Sequence, residues 1–139
     1  MTQIEFIYNL DSYEEGLFLV LDKQYKNQKT MIFCDNLTKS HELSDSLWKC
    51  PGFYPSIIMS EQPSTDDGPG ENIFIGNQFN KNFDELVINV SGQECIFFSR
   101  YEKSVELVLK SDNEKSNARD RLKKYRDCGY EVKLIDAIN

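Results

Sequence analysis

Met31-Ile32-Phe33-Cys34-Asp35-Asn36 is the stretch that decides the fold. Four apolar residues in a row, with no alternation, suit a short strand covered on both faces, and strands of that kind belong to parallel sheets. Asp35 and Asn36 follow at once with side chains able to cap a helix, so the chain turns from strand to helix without a long loop. The predicted helix runs to about Trp48 and ends before Pro51-Gly52. Upstream, Ile4, Phe6 and Tyr8 recur at every second residue as a first strand. Asp11 or Ser12 caps the helix after it, with Glu14 and Glu15 in its first turn. Leu17, Val20, Leu21 and Tyr25 keep helical spacing there, and Lys26 to Lys29 close the helix. Strand, helix, strand, helix is the alternation of a parallel α/β sheet.

Downstream, the pattern continues with Ser56-Ile57-Ile58-Met59, Ile73-Phe74-Ile75 and Leu86-Val87-Ile88-Asn89-Val90 as further strands. Asn77 to Asn82 is the expected turn between the last two. Ser60 to Glu71, with Pro63, Gly68, Pro69, Gly70 and two adjacent aspartates, reads as a mobile loop. Cys95 to Phe98 is expected to form a brief helix, and Val105 to Leu109 a strand. A last helix spans about Asp112 to Cys128 and stops at Gly129, before Tyr130, Val132 and Leu134 alternate through a final strand. No repeat, low-complexity tract or linker interrupts residues 1–139. The expectation is one three-layer α/β/α domain with a mostly parallel central sheet.

Composition narrows the function. The 139 residues carry 16 basic and 23 acidic side chains, a net charge of −7. An acidic body repels phosphate on average, which disfavours nucleic acid or a membrane surface as a general partner. No apolar run reaches the roughly 20 residues of a membrane span. A chain of this size buries about two-thirds of its unfolded surface, enough to fold without disulfide or metal. Cys34, Cys50, Cys95 and Cys128 are widely spaced, form no CxxC pair and have only His41 to join them, so no metal site is expected. Thr2-Gln3-Ile4-Glu5-Phe6 has no basic and apolar leader pattern, which points to thiols in a reducing cytoplasm.

A catalytic reading finds little support. Asn9-Leu10-Asp11-Ser12 follows the first strand without a glycine, and neither GxGxxG nor GxxxxGK[ST] occurs. The fold is Rossmann-like in outline but has no phosphate-binding loop, and no cofactor is expected. His41 is the one candidate base and lies mid-helix among polar residues, as a surface histidine does. No catalytic residue is assigned.

The last helix stands apart. From Ser111 to Arg126 it holds Lys115, Arg119, Arg121, Lys123, Lys124 and Arg126 against Asp112, Glu114 and Asp120, a local net of +3. A basic helix on an acidic body focuses a positive field. Arg119, Lys123 and Arg126 share one stripe at helical spacing, with Ala118, Leu122 and Tyr125 on the next. Basic side chains beside an apolar edge suit an acidic peptide with a hydrophobic end, since arginine pairs with a carboxylate through two parallel bonds. The plainer alternative makes the apolar stripe core and the basic residues a solvated face. Trp48 and Phe53, set around Pro51 and Pro55, form a second candidate: an exposed aromatic patch for a partner, or a cap on the core.

Several stretches, in order along nearly the whole chain, resemble the chi subunit of bacterial DNA polymerase III. They are Phe6-Ile7-Tyr8, Leu47-Trp48, Phe53-Tyr54-Pro55-Ser56, Leu86 to Val90 and Phe98-Ser99-Arg100-Tyr101-Glu102. The most specific is Ala118-Arg119-Asp120-Arg121-Leu122-Lys123-Lys124-Tyr125-Arg126, followed by Gly129-Tyr130. The resemblance implies a non-catalytic subunit of the clamp loader, cytoplasmic and associated with the nucleoid through the replisome. It implies a psi-subunit partner and a grip on the acidic, phenylalanine-ended C-terminal tail of single-stranded DNA-binding protein, with DNA contacted only indirectly. On that basis Arg119, Leu122, Lys123, Lys124 and Arg126 are the expected tail ligands. A family aromatic on this helix is replaced here by Leu122. Trp48 and Phe53 correspond to the family's surface for psi or a helicase. Two rivals remain open: a small nucleotide-using α/β enzyme, and a direct single-strand binder, which ordinarily needs stacking aromatics along a basic groove.

Overall fold

Strand β1 (Gln3–Leu10) leads into helix α1 (Tyr13–Gln24), and β2 (Thr30–Phe33) into α2 (Leu37–Lys49), in a computed structural model of the chain. Then come β3 (Ser56–Ile58), β4 (Ile73–Gly76), β5 (Leu86–Asn89), β6 (Lys103–Leu109), α3 (Asp112–Asp127) and β7 (Val132–Asp136). The structure describes residues 1–24, 29–50, 54, 56–58, 73–79 and 84–138.

Local chemistry sets the helix starts. The Glu15 amide donates to Ser12 Oγ at 3.2 Å, and the Lys39 amide to Asn36 Oδ1 at 3.0 Å. Each satisfies one of the amides a helix start leaves open. β2, β4 and β5 are buried at every residue, as unbroken apolar runs require.

The sheet order is β3-β4-β2-β5-β6-β1-β7, and every neighbouring pair is parallel. Chain direction across the sheet decides the layers. The β1 to β2 and β2 to β3 connections step one way, while β6 to β7 steps the other. Right-handed crossovers therefore place α1 and α2 on one face and α3 on the opposite one. Packing agrees. Leu17, Val20, Leu21, Leu43 and Leu47 meet Ile7, Ile32, Ile88 and Leu107 on the first face. Ala118 and Tyr125 of α3 meet Ile4, Phe6 and Val108 on the second. Phe79, Phe97 and Tyr101 cover the rest of that second face over Met31, Phe33, Phe74 and Val87. This is a three-layer α/β/α fold.

β4 and β5 lie on either side of β2, parallel to it, and Asn80 to Asn82 of the turn expected between them lie outside the described residues. Two local expectations are corrected. The turn at 95–101 is a 3₁₀ helix over Phe98–Arg100, beginning later than predicted, and Phe97 just before it packs edge-on against Phe33. Tyr130 is not part of β7 but closes the turn after α3: its amide donates to Tyr125 O at 3.0 Å, and its ring packs on Phe98. Tyr25, Lys26 to Gln28, Met59 and the 60–71 loop lie outside the described residues.

Gly16 marks the closest approach of α1 to the sheet. A Cβ there would stand 2.8 Å from methyls of both Leu10 and Leu107, which are themselves buried and have nowhere to retreat. Gly16→Val is expected to destabilise the fold by about 1–3 kcal/mol in urea unfolding.

Candidate functional site

α3 is polar along most of its length, so a few anchors set how it rolls on the sheet. Ser111 Oγ accepts the Glu114 amide at 3.2 Å at its start. Gly129, with φ of 89°, lets the chain turn back at its end. Between them Ala118, Arg121 and Tyr125 form the buried stripe.

Arg121 is a correction to the sequence reading, which counted it in the outward basic field. Its side chain points into the protein. Nη1 donates to Gly92 O at 2.9 Å, and Nε lies 3.6 Å from Oε1 of Glu106 on β6. Glu106 is fully buried and also accepts from the Tyr125 hydroxyl at 2.7 Å. Burial pushes its carboxyl up to about 6, while Arg121 and the Tyr125 hydrogen bond pull the other way. A lone carboxylate within Val105-Glu106-Leu107-Val108 was the signal for an inward-facing arginine, since a buried charge calls for a partner.

With Arg121 turned in, Leu122 rolls to one flank of α3. There Lys115, Ala118, Arg119 and Leu122 face Phe6 and Tyr8 of β1, Val108 of β6 and Leu134 of β7. The groove they line has a volume of about 260 Å³. Its floor and walls are apolar, and its cations are Lys115 and Arg119. No carboxylate forms an ion pair with either among the described residues. Such a groove takes one apolar side chain and offers two positive groups to a carboxylate beside it.

The expected site residues divide around this groove. Arg119 and Leu122 line it together. Arg126 is exposed one turn beyond Leu122, on the same flank by helical spacing. Lys123 is exposed on the outer side. Lys124 is on the opposite flank, its Nζ 2.6 Å from Glu94 Oε2, which holds the ammonium above its ordinary range. It is not brought to the groove. Lys115, Phe6, Tyr8 and Leu134 are the additions that sequence reasoning did not assign to the site. Trp48 is 44% exposed at the end of α2, in the layer across the sheet from α3, and Phe53 lies outside the described residues.

The strand ends where nucleotides bind in such folds are differently furnished. A cleft of about 400 Å³ opens there beside Asp35, Asn36, Ser40 and Gly76. Lys39, on the nearby α2, donates instead to Val90 O at 2.5 Å and lies 3.7 Å over the Tyr13 ring. Desolvation lowers its pKa. The four cysteines are free. No group of three or more His, Cys, Asp or Glu able to hold a metal ion occurs among the described residues, and no helix among them is long and apolar enough to cross a membrane.

Fold and groove together define a class: a three-layer α/β domain with the parallel sheet of nucleotide-binding proteins, no glycine-rich phosphate loop in its sequence, and a basic-rimmed apolar groove beside an edge strand. The particular family follows from comparison. A model of the DNA polymerase III chi subunit family (HolC) matches residues 1–133 of the 139-residue chain, and the chain belongs to that family. Its role is that of a replication accessory subunit. No curated protein matches the chain.

Proposed function

We propose that residues 1–139 form a non-catalytic chi domain that links the clamp loader to single-stranded DNA-binding protein. It does so by gripping that protein's acidic C-terminal tail in the groove beside α3. The observation that carries this reading is the joining of Arg119 and Lys115 to an apolar cavity of side-chain size. The tail's terminal phenylalanine enters between Leu122 and Leu134, and its carboxylate pairs with Arg119. Lys123 and Arg126 extend the positive field along the approach, and Lys124 contributes through that field alone. The tether keeps the polymerase assembly on coated single strands, so DNA is contacted only indirectly. Trp48 and Phe53, in the opposite part of the chain's sequence pattern, are the proposed surface for psi or a helicase.

Fluorescence anisotropy of a labelled tail peptide tests the reading. Arg119→Ala is expected to weaken binding about tenfold, the loss of one desolvated charge-assisted contact. Binding by the intact protein should also weaken as salt rises. Affinity insensitive to both changes would falsify the assignment.

A further inference from the structure

The groove beside α3 is half of a longer surface. β7 pairs with β1 alone among the described residues, so it is the edge of the sheet. The Ala137 amide donates to Tyr8 O at 3.0 Å, which turns that residue's backbone toward β1. Backbone direction alternates along a strand, so Ile135 also faces β1, while Val132 and Leu134 present their N–H and C=O groups outward. Grooves lie against this edge on both faces of the sheet. One is the cavity with Leu134 on the α3 face. The other, of about 170 Å³, is lined by Ile7, Leu19, Val20, Ile135 and Ala137 on the α1 face.

We propose that the acidic tail binds as an eighth strand, pairing its backbone with Val132 and Leu134 at the free edge of β7. This rests on the tail reading above and extends it to a second groove. Successive side chains of an added strand point to opposite faces. One therefore enters the α3-side groove, and its neighbour in the peptide enters the α1-side groove. A naked edge strand is a template for an incoming chain, and main-chain pairing with alternating pockets is an established mode of peptide capture.

Charge selects the acidic tail as occupant. Lys115 and Arg119 stand on one side of the edge, Lys133 on the strand itself and Lys23 by the second groove. None of the four forms an ion pair among the described residues. The two carboxylates that line the second groove are already engaged. Glu5 pairs with Lys103 at 2.5 Å, and Asp136 Oδ1 accepts from Asn9 Nδ2 at 3.0 Å and the Ile138 amide at 2.9 Å. The edge thus offers four cations, outside any ion pair among the described residues, to an extended acidic chain.

Backbone N-methylation of the tail peptide, one amide at a time, is the test. Methylation removes a donor and blocks pairing on that side. Alternate positions are expected to lose about tenfold or more in affinity, with the positions between them unchanged. Amide exchange at Leu134 should slow when the parent peptide is added. A scan with no period of two, or unaltered exchange at Leu134, overturns strand addition while leaving side-chain docking in the groove intact. Failure of the parent peptide to bind at all removes the tail reading itself, and strand addition with it.

Discussion

Arg121→Ala is expected to destabilise the protein by about 3–5 kcal/mol at pH 7. The arginine is only 8% exposed, and its guanidinium meets a carboxylate that water cannot reach. Truncation leaves Glu106 with the Tyr125 hydroxyl as its main support and leaves Gly92 O without its donor. An uncompensated buried charge is costly because the desolvation penalty remains after the attraction has gone. The same change on an exposed residue such as Lys123 should fall within about 0.5 kcal/mol of zero.

The loss should depend on pH in a defined direction. Glu106 ordinarily titrates at 4.5 and is pushed up to about 6 in the folded protein, chiefly by burial. Between those values the folded state holds more protons than the unfolded chain. Its contribution is therefore fully present below the unfolded value and falls away as pH rises through the folded one, by about 2 kcal/mol. Removing Arg121 raises the folded value further, so Arg121→Ala should be less damaging at pH 5 than at pH 7. Glu106→Gln should flatten that part of the pH profile. Urea unfolding of the three proteins at both pH values measures this, and an Arg121→Ala deficit equal at pH 5 and pH 7 would show that packing, and not charge, is what Arg121 supplies.

Much of the fold is legible in the residues because each buried strand is an unbroken apolar run and each helix start carries a cap. Met31 to Phe33 and Leu86 to Asn89 need both faces covered, as the central strands of a parallel sheet are. The site was harder to read for two physical reasons. First, α3 has so few apolar residues that periodicity fixes its roll poorly. Ala118, Leu122 and Tyr125 suggest one inward stripe, but the buried Glu106 draws Arg121 inward and turns Leu122 out to the groove. A strand carboxylate and a helix arginine 15 positions apart in sequence, one per element, leave no local pattern. Second, the groove's other wall depends on strand order. Phe6 and Tyr8 alternate from the start of the chain and Leu134 from its end. They meet only because β1 and β7 are neighbours in the sheet, paired Phe6 with Leu134. Composition registers a basic helix, while topology decides which of its cations has an apolar cavity beside it.

That distinction yields the second large effect. Arg119→Glu is expected to weaken tail binding about 100-fold at low salt, whereas Lys124→Glu should change it less than about threefold. Both substitutions alter the net charge by the same amount, so a diffuse attraction between a basic helix and an acidic peptide predicts similar losses. The groove predicts otherwise. Arg119 borders the apolar cavity, where reversal removes a partially desolvated pairing and sets like charges together, about 3 kcal/mol in all. Lys124 lies across the helix, 2.6 Å from Glu94, where its charge is largely neutralised before any peptide arrives. Salt separates the contributions further. With the screening length near 10 Å at 0.1 M and near 3 Å at 1 M, the remote influence of Lys124 should vanish at high salt while a residual penalty from Arg119→Glu persists. Equal losses for the two variants, fading together as salt rises, would mean that the field of α3 as a whole attracts the peptide and that the groove selects nothing.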